Sequence, residues 1–136
     1  MSTELSDSSA DRWVNGISAI TLFVEDLDAA REFYAAVFDL PVYYQDEASA
    51  VFDFGGTLIN LLKLEEAPGL ITPHPVASSD AGARAQYTIT VPDVDVAAAR
   101  VVAAGAVLLN GPQDRTWGIR TAAFADPAGN VWELGS

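Results

Sequence analysis

A short segment near the C-terminus carries side chains well suited to small-molecule recognition. Residues 114–120 read DRTWGIR, with an aromatic ring between two arginines. Trp117 could stack on a flat ligand, and Arg120 could pair with an anionic group. Alternatively, Trp117 packs over a hairpin and Arg120 pairs with an aspartate. Both interpretations stay open, because loop aromatics and arginines serve either purpose.

The residues needed for several familiar kinds of catalysis are absent from this sequence. There is no cysteine, which excludes disulfides, thiolate metal sites and a cysteine nucleophile, and which favours a cytoplasmic location. No Gly-rich phosphate loop, Ser-His-Asp set or catalytic carboxylate pair is recognisable. The only histidine, His74, lies between two prolines in a polar linker and is expected to be an exposed loop residue.

Charge and composition narrow the class of partner. The formal net charge of −12 argues against nucleic acid and anionic membranes, whose recognition needs a basic face. It is compatible with a cationic small molecule, although its plainer meaning is solubility. The 136 residues, half of them hydrophobic, suit one soluble domain over residues 13–136. The polar residues 1–12 are predicted to form a disordered tail.

The chain contains two related halves. VEDLD at 24–28 lines up with VPDVD at 91–95, at a spacing of 67 residues. GTLINL at 56–61 lines up with GNVWEL at 129–134, at a spacing of 73. Each half begins with an apolar, β-branched run that leads into a helical pattern. The order of elements therefore repeats, and the second half carries extra residues before its last strand.

Each half is predicted to form one strand, one helix and three strands. Asp26 and Asp93 are expected to cap the two helices, and Gly105 to follow the second one. Asp53 and Asp126 lie at strand ends and are expected to cap turns. The predicted strands are 17–24, 42–45, 49–54 and 57–63 in the first half, and 85–91, 107–110, 119–125 and 130–134 in the second.

These elements predict an α+β fold of two βαβββ modules, at about 17–63 and 85–134, joined by an exposed linker at 65–84. One face of each sheet is covered by its helix. The other face needs a partner, for which the other half is the natural candidate. The fold should then enclose a curved trough of mixed sheet, lined by strand residues, which is a typical place for a ligand.

The sequence resembles the vicinal oxygen chelate superfamily, which includes glyoxalase I, extradiol dioxygenases, fosfomycin-resistance transferases and bleomycin-resistance proteins. The matching segments are VEDLDAAREFY at 24–34, VFDLP at 37–41, VPDVD at 91–95 and FADPAGNVWEL at 124–134. The resemblance extends from residue 17 to the C-terminus. It implies the glyoxalase/bleomycin-resistance fold but does not settle the function, because this scaffold carries several enzyme classes and pure binders.

The resemblance also implies where a metal would bind. Members that are enzymes hold a divalent ion with four residues, usually His and Glu, on the first and last strands of each half. The corresponding positions here are Ala19, Asn60, Gln86 and Glu133. Alanine offers no donor and the two amides are neutral, so Glu133 is the only anionic ligand. One carboxylate with two amides makes a poor divalent site, which predicts that no metal or other cofactor is bound.

The leading hypothesis is therefore a metal-free small-molecule-binding protein, for example one that sequesters an antibiotic or a metabolite. The expected ligand contacts are Asn60, Gln86, Trp117, Arg120 and Glu133. Glu133 is also the one catalytic candidate. It could act as a general base if an apolar trough raises the pKa of its carboxyl group. Its alternative role is that of a polar residue left at the end of an interior strand.

Two other functions remain open. One is a lyase, isomerase or dioxygenase in which Asn60, Gln86, Glu133 and waters hold a divalent metal ion. The other is a regulatory or interaction domain without turnover. The resemblance further implies a homodimer, in which each trough is completed either within one chain or by modules from two chains.

Overall fold

The structure is a computed structural model that describes residues 12–136. Except for Arg12, the predicted tail at 1–12 lies outside the described residues. The first half consists of β1 (Ala19–Val24), α1 (Leu27–Val37), β2 (Tyr44–Gln45), β3 (Ser49–Asp53) and β4 (Leu58–Lys63). The second half consists of β5 (Gln86–Thr90), α3 (Val94–Ala103), β6 (Leu108–Asp114), β7 (Arg120–Ala125) and β8 (Val131–Gly135).

The two long helices begin where the sequence predicts. The Asp26 carboxylate accepts a hydrogen bond from the Ala29 amide at 3.0 Å, and Asp93 accepts one from Val96 at 3.1 Å. Each side chain satisfies an amide that has no partner within its helix. Gly105 follows α3 with a φ of 116°, a conformation that side chains disfavour.

The strands form two four-stranded sheets of identical topology. Their orders are β1-β4-β3-β2 and β5-β8-β7-β6. β1 pairs with β4 and β5 with β8 in parallel, whereas the remaining pairs are antiparallel. Thr21 is in register with Asn60, and Thr88 is in register with Glu133. The α+β fold of two βαβββ modules is confirmed.

The linker differs in part from the exposed connection that was expected. It contains a 3₁₀ turn (Leu64–Glu66) and a short helix, α2 (Pro68–Ile71). Pro68 occupies the first position of α2, where the missing amide costs no hydrogen bond. Ala67 is 2% exposed and anchors this end of the linker, whereas most of the residues from 72 to 85 are exposed.

One hydrophobic core joins the two halves. It is built from the helix-covered faces of both sheets together with α1 and α3. The Tyr34 ring on α1 lies 5.9 Å from that of Phe52 in the first sheet and 6.0 Å from that of Trp132 in the second. The rings of Phe54 and Trp132 stack at 5.1 Å across the same core. The halves thus meet through their helix-covered faces, whereas the sequence analysis expected contact between the open faces.

A buried chain of hydrogen bonds crosses this core. The Tyr34 hydroxyl donates to Asp126 Oδ2 at 2.6 Å and accepts from Trp132 Nε1 at 3.0 Å. Asp126 also caps its turn, as predicted, by accepting from the Ala128 and Asn130 amides at 2.9 Å each. Burial, and secondarily the Asp126 charge, raises the pKa of Tyr34 well above its usual range, so the phenol stays neutral and donates.

Replacing Tyr34 with Phe should test this chain. Tyr34→Phe leaves the ring in place but removes one donor from Asp126 and the acceptor of Trp132. Because both partners are buried, we expect a loss of about 1–3 kcal/mol in the free energy of unfolding, measured with urea. Tyr44→Phe is the matched control, because its hydroxyl bonds to Asp46 on the exposed surface. Equal effects of the two substitutions would contradict the proposed importance of the buried chain.

Candidate functional site

Each sheet has an open face that lies outside the shared core. In the first sheet this face carries Asn60, whose Nδ2 donates to Thr21 Oγ1 at 3.3 Å. The Asn60 Oδ1 atom is buried and has no hydrogen-bond partner among the described residues. Half-buried apolar side chains surround this polar pair: Phe23, Val51, Leu58 and Leu62.

The open face of the second sheet is more polar. Thr88 Oγ1 donates to Glu133 Oε1 at 2.8 Å, which fixes the carboxylate against β5. Pairing across the sheet places Asn110, Ala123, Glu133 and Thr88 in one row. Ala123 is 2% exposed, so the longer side chains around it cover this part of the sheet. The arrangement can offer a ligand one half-buried carboxylate.

The other two positions implied by the resemblance lie two residues earlier on the first strands. Ala19 is in register with Leu58, and Gln86 is in register with Val131. Both residues are exposed. Gln86 also lines a cavity of about 370 Å³ at the seam between the sheets, together with Ile20, Tyr87 and Trp132. The structure gives the Gln86 side chain no polar partner among the described residues.

The β6–β7 hairpin carries Trp117, which the sequence predicted as a ligand contact, and Arg115, which it did not. Trp117 is 68% exposed at the hairpin turn. The guanidinium of Arg115 lies 5.9 Å from the centre of the Trp117 ring. Arg115 Nε donates to Thr121 Oγ1 at 2.8 Å, and Arg115 Nη2 donates to Asn110 Oδ1 at 3.2 Å. Sequence reasoning missed Arg115, although it belongs to the segment that contains Trp117.

Arg120 is not brought together with Glu133. Its guanidinium pairs with Asp95 at 2.9 and 3.0 Å and with Asp114 at 3.0 Å. Asp95 lies in the first turn of α3, so this ion pair lies on the helix-covered side of the second sheet. Glu133 projects from the opposite side. The two carboxylates hold the pKa of Arg120 above its usual range, and Arg120 lowers that of Asp95.

The family's metal does not fit the residues at these positions. Ala19 has no donor atom, and Asn60 and Gln86 offer only neutral amide oxygens, of which Asn60 Oδ1 has no partner among the described residues. Glu133 supplies the only charge, and it is already bonded to Thr88. Within residues 12–136, no group of three or more His, Cys, Asp or Glu side chains is arranged to hold an ion. A divalent ion would need more anionic oxygen or imidazole nitrogen donors than these four positions offer.

Comparison with known proteins identifies the family. A sequence profile described as "Glyoxalase/Bleomycin resistance protein/Dioxygenase superfamily" matches residues 16–134. The chain belongs to this superfamily. The resemblance inferred from the sequence is thereby confirmed, and the topology of the two sheets agrees with it.

Individual relatives resemble this chain in sequence, in structure or in both. An uncharacterised protein of Mycobacterium bovis is 30% identical over 128 residues, covering 84% of this chain and 78% of the relative. A glyoxalase/bleomycin resistance protein/dioxygenase from Nocardioides superposes with a TM-score of 0.79 at 22% identity, covering 99% of this chain and 92% of the other. Lactoylglutathione lyase from Agrobacterium tumefaciens gives a TM-score of 0.72 at 25% identity, covering 90% and 93%. The first two similarities support the family and the fold, but they do not assign an activity to this chain.

Among the described residues, no helix has the length and apolarity needed to cross a membrane.

The donor set predicts weak divalent-metal binding. Elemental analysis of the purified protein should find no stoichiometric Zn, Mn, Ni or Fe, and thermal melting should be unchanged by these ions or by EDTA. The physical reason is the single carboxylate among four positions. A stabilising shift that EDTA reverses and Glu133→Ala abolishes would contradict this expectation. Glu32→Ala is the control, because its carboxylate lies exposed on α1.

Proposed function

We propose that this protein binds a small organic molecule on the open faces of its sheets without the help of a metal ion. Binding would serve to sequester the molecule, for example an antibiotic or a metabolite. The observation that carries the proposal is the replacement of the family's metal ligands by one alanine and two amides, while Glu133 remains fixed on an open sheet face by Thr88.

The two open faces differ in a way that suits an organic ligand. The first sheet offers apolar surface around one amide, and the second offers a half-buried carboxylate at Glu133. Apolar walls with a few positioned polar groups are typical of small-molecule sites. Glu133 would accept a hydrogen bond or a cationic group from the ligand, and Trp117 would supply a flat aromatic surface. Asn60 and Gln86 would add neutral hydrogen bonds.

A second copy of the chain would complete such a site. The open faces lie outside the core that joins the halves, so within one chain neither is covered by the other. Half-buried Phe23, Val51, Leu58 and Leu62 would gain burial if the first sheet of one chain faced the second sheet of another. A homodimer of this kind contains two equivalent troughs, because a twofold axis repeats each contact.

An enzymatic function is the second candidate. The similarity to a lactoylglutathione lyase at 25% identity favours it. Glu133 would then be the catalytic base. The metal measurement described above separates the two candidates, since a lyase, isomerase or dioxygenase that depends on a divalent ion requires one to bind.

Ligand binding can be tested by a thermal-shift screen in buffer containing EDTA. We expect organic compounds of a metabolite and antibiotic library to raise the melting temperature, because ligands that bind the folded state stabilise it. Glu133→Gln should weaken the affinity of such compounds about tenfold, measured by calorimetry, because it removes a charge-assisted hydrogen bond. Glu32→Gln serves as the control. If no compound binds, or if Glu133→Gln changes no affinity, the proposed site is wrong.

The dimer can be tested by light scattering coupled to size exclusion. The wild-type chain should have twice the mass of one chain, and Val51→Lys should reduce it to a monomer by placing a charge on the buried open face. Val96→Lys is the matched control, because Val96 is 64% exposed on α3. Thermal melting confirms that each variant is folded. A monomeric wild type at high micromolar concentration would overturn this arrangement.

A further inference from the structure

Arg115 is a cation held in position by neutral groups. Its guanidinium donates to the Thr121 hydroxyl and to the Asn110 side-chain oxygen, and neither acceptor carries a charge. Among residues 12–136, Arg31, Arg100 and Arg120 each pair with a carboxylate, whereas Arg115, Lys63 and Arg84 form no ion pair. Arg115 differs from Lys63 and Arg84 because two side-chain hydrogen bonds fix its guanidinium. Its positive charge stays available to an anionic group.

Arg115 lies on the same sheet face as Glu133. Thr121 and Ala123 alternate with the core residues Ala122 and Phe124 along β7, so the first two project from the open face. The hydrogen bond to Thr121 therefore draws the Arg115 guanidinium onto that face. Asn110, its other acceptor, is in register with Ala123, and Ala123 is in register with Glu133. A fixed cation and a fixed anion thus share one surface.

The two charged groups are held on neighbouring strands. Asn110 on β6 and Thr121 on β7 hold the Arg115 guanidinium, and Glu133 projects from the adjacent β8. Neighbouring strands lie about 5 Å apart, and Thr121 lies two residues along β7 from Ala123, the register partner of Glu133. One small molecule that carries a cationic and an anionic group can therefore reach both side chains.

From this arrangement we propose that the ligand is a zwitterion. Its cationic group contacts Glu133, its anionic group contacts Arg115, and an apolar or aromatic spacer joins the two groups, with Trp117 at its edge. This inference rests on the proposed ligand-binding function and adds its ligand class. The Thr88 and Thr121 hydroxyls have matching positioning roles, because each fixes one of the two charged side chains.

Three probes of one shape test the proposal: benzylamine, benzoate and 3-(aminomethyl)benzoate, which joins both charged groups on a single ring. Calorimetric titration of the full chain should give the zwitterion at least about tenfold higher affinity than either singly charged probe. Arg115→Gln should reduce the affinity for 3-(aminomethyl)benzoate to that for benzylamine, and leave benzylamine unaffected. Glu133→Gln should do the converse with benzoate. Arg100→Gln, whose guanidinium pairs with Asp39 elsewhere on the surface, should change nothing.

The possible outcomes distinguish the zwitterion proposal from the broader proposal that a small molecule binds at Glu133. If benzylamine binds as well as the zwitterion and Arg115→Gln has no effect, the ligand class is wrong while binding at Glu133 stands. If none of the three probes binds but library compounds bind in a manner that depends on Glu133, the zwitterion proposal is overturned alone. If nothing binds in either experiment, both proposals are overturned. Thermal melting of Arg115→Gln shows whether a lost affinity reflects a lost fold, and Thr121→Val then provides a second test that leaves the charge in place.

Discussion

The buried contact between Tyr34 and Asp126 sets the relation between the two halves. A carboxylate that is 5% exposed would be costly without compensation. Asp126 accepts hydrogen bonds from the Tyr34 hydroxyl, the Ala128 and Asn130 amides, and the Asn130 side chain. These four donors occupy the capacity of both oxygens, so the charge is stabilised without a cation. The contact ties α1 of the first half to the β7–β8 turn of the second.

Aromatic packing extends from that contact and decides which faces are left open. Tyr34, Phe38, Phe54 and Trp132 fill the space between the helix-covered faces, with ring centres 4.9–6.0 Å apart. Because these faces are used for the core, the two opposite faces remain outside it. The polar residues on them, Asn60 and Glu133, therefore contribute little to the core. Substitution there can change the ligand without changing the fold.

Much of the fold could be predicted because its signals are local. An aspartate before an apolar helical pattern predicts a cap, and both Asp26 and Asp93 form one. The repeat of elements at fixed spacing predicts two modules of one topology. The pairing of the modules could not be predicted in this way. It depends on where the rings of α1 lie once the helix packs, which is a property of tertiary contacts rather than of periodicity.

The site was harder to predict, and the β6–β7 hairpin shows why. The sequence predicted a strand at 107–110, but β6 continues through Gly111 and Pro112 to Asp114, with register shifts on either side of Asn110. A shift of one residue moves a side chain to the other face of a sheet. The hairpin contains two arginines five residues apart, and an odd separation can place them on opposite faces. Arg120 therefore pairs with α3, and Arg115 reaches the open face. No pattern in the sequence distinguishes them.

Two threonines orient the side chains at the last-strand positions of the two modules. Thr21 and Thr88 occupy equivalent places on β1 and β5, each beside the last-strand position at which the family implies a metal ligand. A threonine hydroxyl can orient an amide or a carboxylate as well as a metal can, but it adds no charge. No cationic side chain among residues 12–136 forms an ion pair with Glu133, and the overall negative potential discourages anions from approaching this face. A ligand with an anionic group needs a compensating cation nearby, and on this face Arg115 is the side chain whose neutral partners leave its charge free.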